Sequence, residues 1–174
     1  MNSSISRLLD NYSNARKSWE TWCYLVDFEC IKDNRTVVRK VESNPLLSHF
    51  RHLALKDFYI EAYKILKKNK NNADNIYALL EELKGDVNKR DAIFKCFEEL
   101  NAAGDTIQQI CNTRDKYYAH LDEDHQNYLA GLGLHKIVQV FSAVENAIMV
   151  LTSREMLEER LDKLPSRNDF DLDE

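Results

Sequence analysis

The stretch Arg114-Asp115-Lys116-Tyr117-Tyr118-Ala119-His120 places a fixed cation, a carboxylate and a titratable imidazole within two helical turns. Arginine is charged at every relevant pH, whereas histidine exchanges a proton near neutrality. A phosphodiester needs that combination. One group neutralises charge developing on the phosphoryl oxygens, and another moves a proton. Facing a cleft, the segment would do ribonuclease chemistry without a metal. Facing a core, it would be a structural salt-bridge cluster.

An apolar stripe approaches the segment through Ile93, Phe97, Leu100, Ala103, Ile107, Ile110 and Cys111. Continued by helical steps, it reaches Arg114, which therefore lies on or beside the buried face. A charge there must be paired, with Asp115, Asp122, Glu123 or a partner chain as counter-charge. On a straight helix Arg114 and His120 point about 120° apart and are offset by about 9 Å along the axis. They converge only if the helix unwinds at its end, if Arg114 reaches along the axis, or if a two-fold partner brings a second copy.

The elements that must position these residues read as helices. The first starts near Ser3–Ser6 and carries Ile5, Leu8, Leu9, Tyr12, Ala15, Trp19, Trp22, Cys23, Val26 and Cys30 on one stripe. Lys32-Asp33-Asn34-Arg35 reads as a turn, and Thr36-Val37-Val38 could be a short extended piece, although one strand without a partner is not stable alone. Asn44-Pro45 is a helix start, with Asn44 as cap, for a second helix ending in Lys67, Lys68 and Lys70. A short helix follows, capped by Asn72 or Asp74 and closed by Gly85. Asp86 is the expected cap of the next helix, which Gly104-Asp105 either breaks or weakens. Residues 122–133 read as a loop. A last helix runs from about Gly133 to Leu161, and Pro165 stops it. The expected fold is all-α: an up-and-down helical bundle of four principal helices plus a short extra helix, one domain over residues 1–165. Residues 166–174 form an acidic tail expected to be disordered.

The chain's 174 residues suit one domain, and its four Gly and two Pro leave few turn signals. No apolar run is long enough to span a bilayer, and the N-terminus has no signal-peptide layout, so a soluble, cytoplasmic protein is expected. The cysteines form no CxxC pair, and Cys23, Cys30 and Cys111 fall on or near apolar stripes as reduced core thiols. Net charge is −5, against broad nucleic-acid binding. Its distribution is uneven. Residues 1–70 hold 13 basic against 8 acidic side chains, and residues 71–174 hold 11 against 21. That asymmetry fits local phosphate contact, head-to-tail packing, or solvated helix faces of opposite sign.

With the helical layout in view, the segment resembles the Arg-polar-xxxx-His motif of the HEPN superfamily. Arg114 matches the arginine, Asp115 the polar position and His120 the histidine. The wording Arg-Asp-Lys-Tyr-Tyr-Ala-His-Leu-Asp is similar to the AbiU2-like branch, linked to abortive phage infection. The resemblance implies a homodimeric, metal-independent endoribonuclease of a defence or toxin type that needs no cofactor. The RNA 2′-hydroxyl would attack the adjacent phosphorus. His120 would serve as general base or acid, Arg114 would stabilise phosphoryl charge, and Asp115 would orient one of them. Substrate contacts would come from Lys116, Tyr117 and Tyr118, the tyrosines by stacking a base or donating a hydrogen bond. An antitoxin protein would be a further partner. HEPN toxins paired with nucleotidyltransferase antitoxins often carry a tyrosine two residues after the histidine. Here that position is Asp122, so silencing by nucleotidylation is not supported. Many HEPN domains resemble binding or dimerisation modules, so a non-catalytic helical interaction or nucleotide-binding module is the alternative.

Other chemistry is weaker. His120, Asp122, Asp124 and His125 could hold a divalent cation, but solvated loop charges are the default, and no metal site is assigned. Lys32, Arg35, Arg39 and Lys40 form one basic cluster, and Lys64, Lys67, Lys68 and Lys70 another, each able to hold phosphates. No Gly-rich phosphate loop, GxSxG or HExxH occurs.

Overall fold

Apolar side chains at three- and four-residue spacing force these helices together, because each stripe leaves water only by packing on another. A computed structural model of the chain describes residues 3–26, 35–69, 74–118 and 133–161. The helices are α1 (Ser3–Val26), α2 (Arg35–Ser43), α3 (Pro45–Leu66), α4 (Ile76–Glu82), α5 (Arg90–Ala102), α6 (Gly104–Thr113), α7 (Leu134–Leu151) and α8 (Arg154–Leu161). A 3₁₀ turn, Leu83–Gly85, follows α4, and a π-helical turn, Arg114–Tyr118, follows α6. Among the described residues the fold is all-helical, with no strand, and no helix is long and apolar enough to cross a membrane.

The main core joins α1, α3, α4, α5, α6 and α7. Leu8, Tyr12, Phe58, Leu80, Leu100, Ile110 and Ile148 are all essentially inaccessible. Trp19 packs on Phe58 at 4.9 Å between ring centroids, and Phe58 meets Phe141 edge-on at 6.0 Å. At the α1–α7 contact Tyr12 donates to Glu145, and Arg16 bonds Glu20 at 2.8 Å while lying over the Phe141 ring, its Nε buried without a hydrogen-bond partner among the described residues. Cys23, Cys96 and Cys111 are buried free thiols, as expected of Cys23 and Cys111. Cys30 lies outside the described residues.

Several local expectations are corrected. The Thr36-Val37-Val38 segment is helical, not extended. Val41, three residues after Val38, is fully buried with Tyr24 and Leu25, and that burial outweighs the weak helix preference of β-branched residues. The cap of α4 is Asn75, whose Oδ1 accepts from the Ala78 N–H at 3.0 Å, rather than Asn72 or Asp74. Asp74 is engaged by Arg7 through two hydrogen bonds of 2.7 and 2.9 Å, so its carboxylate serves α1 instead. Asp86 does not cap α5. Its side chain accepts from the Asn88 N–H, closing a turn before the helix begins at Arg90. The Gly104 question resolves as a break, with Ala103 linking α5 to α6.

The last helix is likewise two. The Thr152 hydroxyl bonds back to the Ile148 carbonyl, and the Ser153 hydroxyl accepts from the Met156 N–H, so a Thr-Ser pair ends α7 and starts α8. The Asn44-Pro45 start is as expected: Asn44 Oδ1 accepts from the Leu46 and Leu47 amides at 2.9 and 3.3 Å. Residues 32–34, 122–132, Pro165 and the acidic tail 166–174, on which further expectations fell, lie outside the described residues.

Two substitutions separate core from surface. Leu100→Ala should cost about 2–5 kcal/mol in denaturant unfolding, since Leu100 is fully enclosed. Leu46→Ala, at a position 59% exposed, should stay within about 0.5 kcal/mol.

Candidate functional site

The site forms where α6 passes into its π turn against the C-terminal end of α3. The stripe carries Ile107, Ile110 and Cys111 into the core, and Thr113 is buried too. Thr113 donates back to the Gln109 carbonyl at 2.9 Å and is hydrogen-bonded to the hydroxyl of buried Tyr59. At Arg114 the backbone shifts to the wider π turn. The chain thus departs from straight α geometry where the sequence placed Arg114 beside the buried face. Such turns recur at functional positions.

Arg114 and Asp115 are each about one-third exposed. Arg114 Nη1 donates to Asp115 Oδ1 at 3.0 Å, while the guanidinium lies 4.3 Å from the centre of the Tyr63 ring. From α3, Lys67 Nζ donates to Asp115 Oδ2 at 3.1 Å. Tyr63 is hydrogen-bonded to the same carboxylate. Lys67 is the C-cap of α3, its backbone N–H bonded to the Tyr63 carbonyl, which keeps the two residues adjacent. Asp115 is therefore the counter-charge that Arg114 required. It serves two cations at once, so these described side chains together carry net positive charge.

The electrostatics follow from this geometry. Burial alone would raise the Asp115 carboxyl, but hydrogen bonds from Lys67, Arg114 and Tyr63 outweigh it and hold it below the ordinary carboxylate range. The hydrogen bond to Asp115 raises Lys67. Partial burial and the same carboxylate raise Tyr63. Behind the cluster, burial pushes the Cys111 thiol up to about 11, which makes it inert packing rather than a nucleophile.

Of the residues singled out in the sequence, the structure brings Arg114 and Asp115 into contact and leaves Lys116 exposed. The backbones of Tyr117 and Tyr118 belong to the π turn. His120 lies outside the described residues, as do Asp122, Asp124 and His125. Tyr63 and Lys67 were not assigned to this site from sequence. Lys67 was visible as part of a basic cluster, but nothing local tied that cluster to a carboxylate 48 positions later.

The depressed Asp115 ionisation fixes a pH signature. Its folded-state value lies below the ordinary 3.8, so its stabilising contribution is complete well above that pH and is lost as pH falls through the folded value. The stability gap between the parent chain and Asp115→Asn should be constant from about pH 6 to 8 and should narrow below about pH 4. Chemical denaturation at a series of pH values measures it, and a gap that widens on acidification would contradict the assignment. No protein-family model, curated protein or solved structure matches the chain.

Proposed function

We propose that this chain is a metal-independent endoribonuclease of a defence or toxin type, built on a HEPN-like bundle and acting as a homodimer in the cytoplasm. The observation that carries the reading is the Arg114 guanidinium, oriented by Asp115 and Tyr63 yet still about one-third open to solvent. A guanidinium held in that way presents its remaining N–H groups to a phosphate at small entropic cost. The second cation, Lys67, leaves the cluster positive although the chain as a whole is acidic.

In this reading the 2′-oxygen of RNA forms a bond to the adjacent phosphorus and the bond to the 5′-oxygen breaks. His120 takes the 2′-hydroxyl proton or protonates the leaving oxygen, with the second copy in the dimer supplying the other role. Arg114 neutralises charge on the non-bridging oxygens. Asp115 acts through Arg114 as a positioning residue. Lys116, Tyr117 and Tyr118 contact the flanking nucleotides, and an antitoxin protein restrains the activity.

One observation favours the second reading, a non-catalytic helical interaction or nucleotide-binding module. Arg114 already has partners within its own chain, so the cluster is complete as a latch between α3 and α6.

The purified protein should cleave RNA in excess EDTA, and Arg114→Ala and His120→Ala should each lower the rate by about 10²- to 10⁴-fold. Retention of full activity in the His120 variant would exclude the nuclease mechanism.

A further inference from the structure

A groove of about 850 Å³ runs between α4 and α5 and reaches the residue next to Lys67. Its lining combines three cations, Lys68, Lys84 and Arg90, with Tyr77, Phe94 and Phe97. Phe94 is 65% exposed, although it stands on a helix whose buried face is already formed by Ile93, Cys96 and Leu100. Two of the cations lie on rings. Lys68 Nζ lies 4.4 Å from the centre of the Tyr77 ring, and Lys84 Nζ lies 4.8 Å from that of Phe97. Glu81 is the one carboxylate among the described lining residues and is paired with Lys84 at 2.6 Å. Arg90, exposed at the start of α5, makes no ion pair with a described residue. Lys84 and Arg90 come from the half of the chain that carries most of its negative charge, so their placement in one groove runs against the local composition.

We propose that this groove binds a segment of single-stranded RNA, with phosphates on Lys68 and Arg90 and an unpaired base stacked on Phe94. A positive channel interleaved with exposed aromatic faces is what an unpaired strand requires, since charge holds the backbone and any base can stack. The length of the groove favours a strand over a mononucleotide. Arg90 and Asn101, which both line it, are separated by roughly 16 Å of rise along α5. The groove also leads toward the Arg114 cluster. Lys68, at the edge of the groove, directly follows the lysine that holds Asp115. As the substrate-guiding surface of a nuclease, the groove rests on the function proposed above. As a strand-binding site, it stands without it.

The test separates the two. Binding of a short fluorescein-labelled single-stranded oligoribonucleotide is read by anisotropy in a His120→Ala background, where cleavage does not consume the probe. The double variant Lys68→Glu/Arg90→Glu should weaken binding by at least about tenfold at low salt. It should also flatten the slope of log affinity against log salt by about 1.4, the share of two phosphate contacts on a single strand. Phe94→Ala, at an exposed position that should not disturb folding, should weaken binding by about 5- to 150-fold with the slope unchanged. Affinities within twofold of the parent in both variants would overturn the proposal. So would equal affinity for duplex RNA, whose bases cannot stack on Phe94, or equal affinity for a mononucleotide. Absence of oligoribonucleotide binding together with loss of self-association in Phe94→Ala would overturn it in favour of a protein contact. A parent chain that binds RNA through the groove but cleaves none leaves the groove standing and removes the nuclease reading. Cleavage that continues with binding unaltered in the variants does the reverse.

Discussion

One carboxylate shared by two cations organises the junction of α3 with the turn after α6. Asp115 accepts from Arg114 on its own turn and from Lys67 on α3, and both cations lie over the ring of Tyr63. The stripe of α6 delivers Arg114 to the edge of a core that ends in Cys111 and Thr113, where an unpaired guanidinium would be costly. Asp115 supplies the opposite charge and the π turn lets the chain leave the apolar face. The same carboxylate fastens the end of α6 to α3. Position and charge at the site are therefore set together, and Asp115 stays ionised because its neighbours outweigh its partial burial.

The rest of the helical assembly is the frame for that contact. α1 and α3 pack along most of their length around Tyr12, Trp19 and Phe58, which fixes the axis of α3. The last turn of α3 and its C-cap then present Tyr63 and Lys67 to the same carboxylate. Beyond α3, Lys68 turns to Tyr77 and begins the basic, aromatic groove between α4 and α5. Two adjacent lysines thus serve two neighbouring surfaces. A chain of net charge −5 gathers its cations locally, so whole-chain charge is a poor guide to what this region attracts.

Where sequence reading worked, the signal was local. The all-helical class, the start of α3 and the Asn44 cap followed from three- and four-residue periodicity and from a capping residue before proline, which are properties of one segment. The need of Arg114 for a counter-charge, and Asp115 as a supplier of it, came from adjacency on a known stripe. The misread boundaries had competing partners. Asp74 was a sound cap by type, but Arg7 claimed it and Asn75 capped α4 instead. The β-branched Thr36-Val37-Val38 segment favoured an extended piece by propensity, yet burial of Val41 against Tyr24 and Leu25 held it as helix.

The sequence alone determined that helices would form, which faces they would bury, and that a guanidinium, a carboxylate and an imidazole lie close along one stretch of chain. Those outcomes depend on residue type and short spacing. Only the tertiary structure decided that Tyr63 and Lys67 join Arg114 and Asp115, and that Lys68, Lys84 and Arg90 share a groove with Phe94. Contacts between residues tens of positions apart depend on how whole helices pack, and the packing reflects the fit of every buried side chain at once. The residue types of the candidate site lie in one short segment, whereas their surroundings were decided by the core.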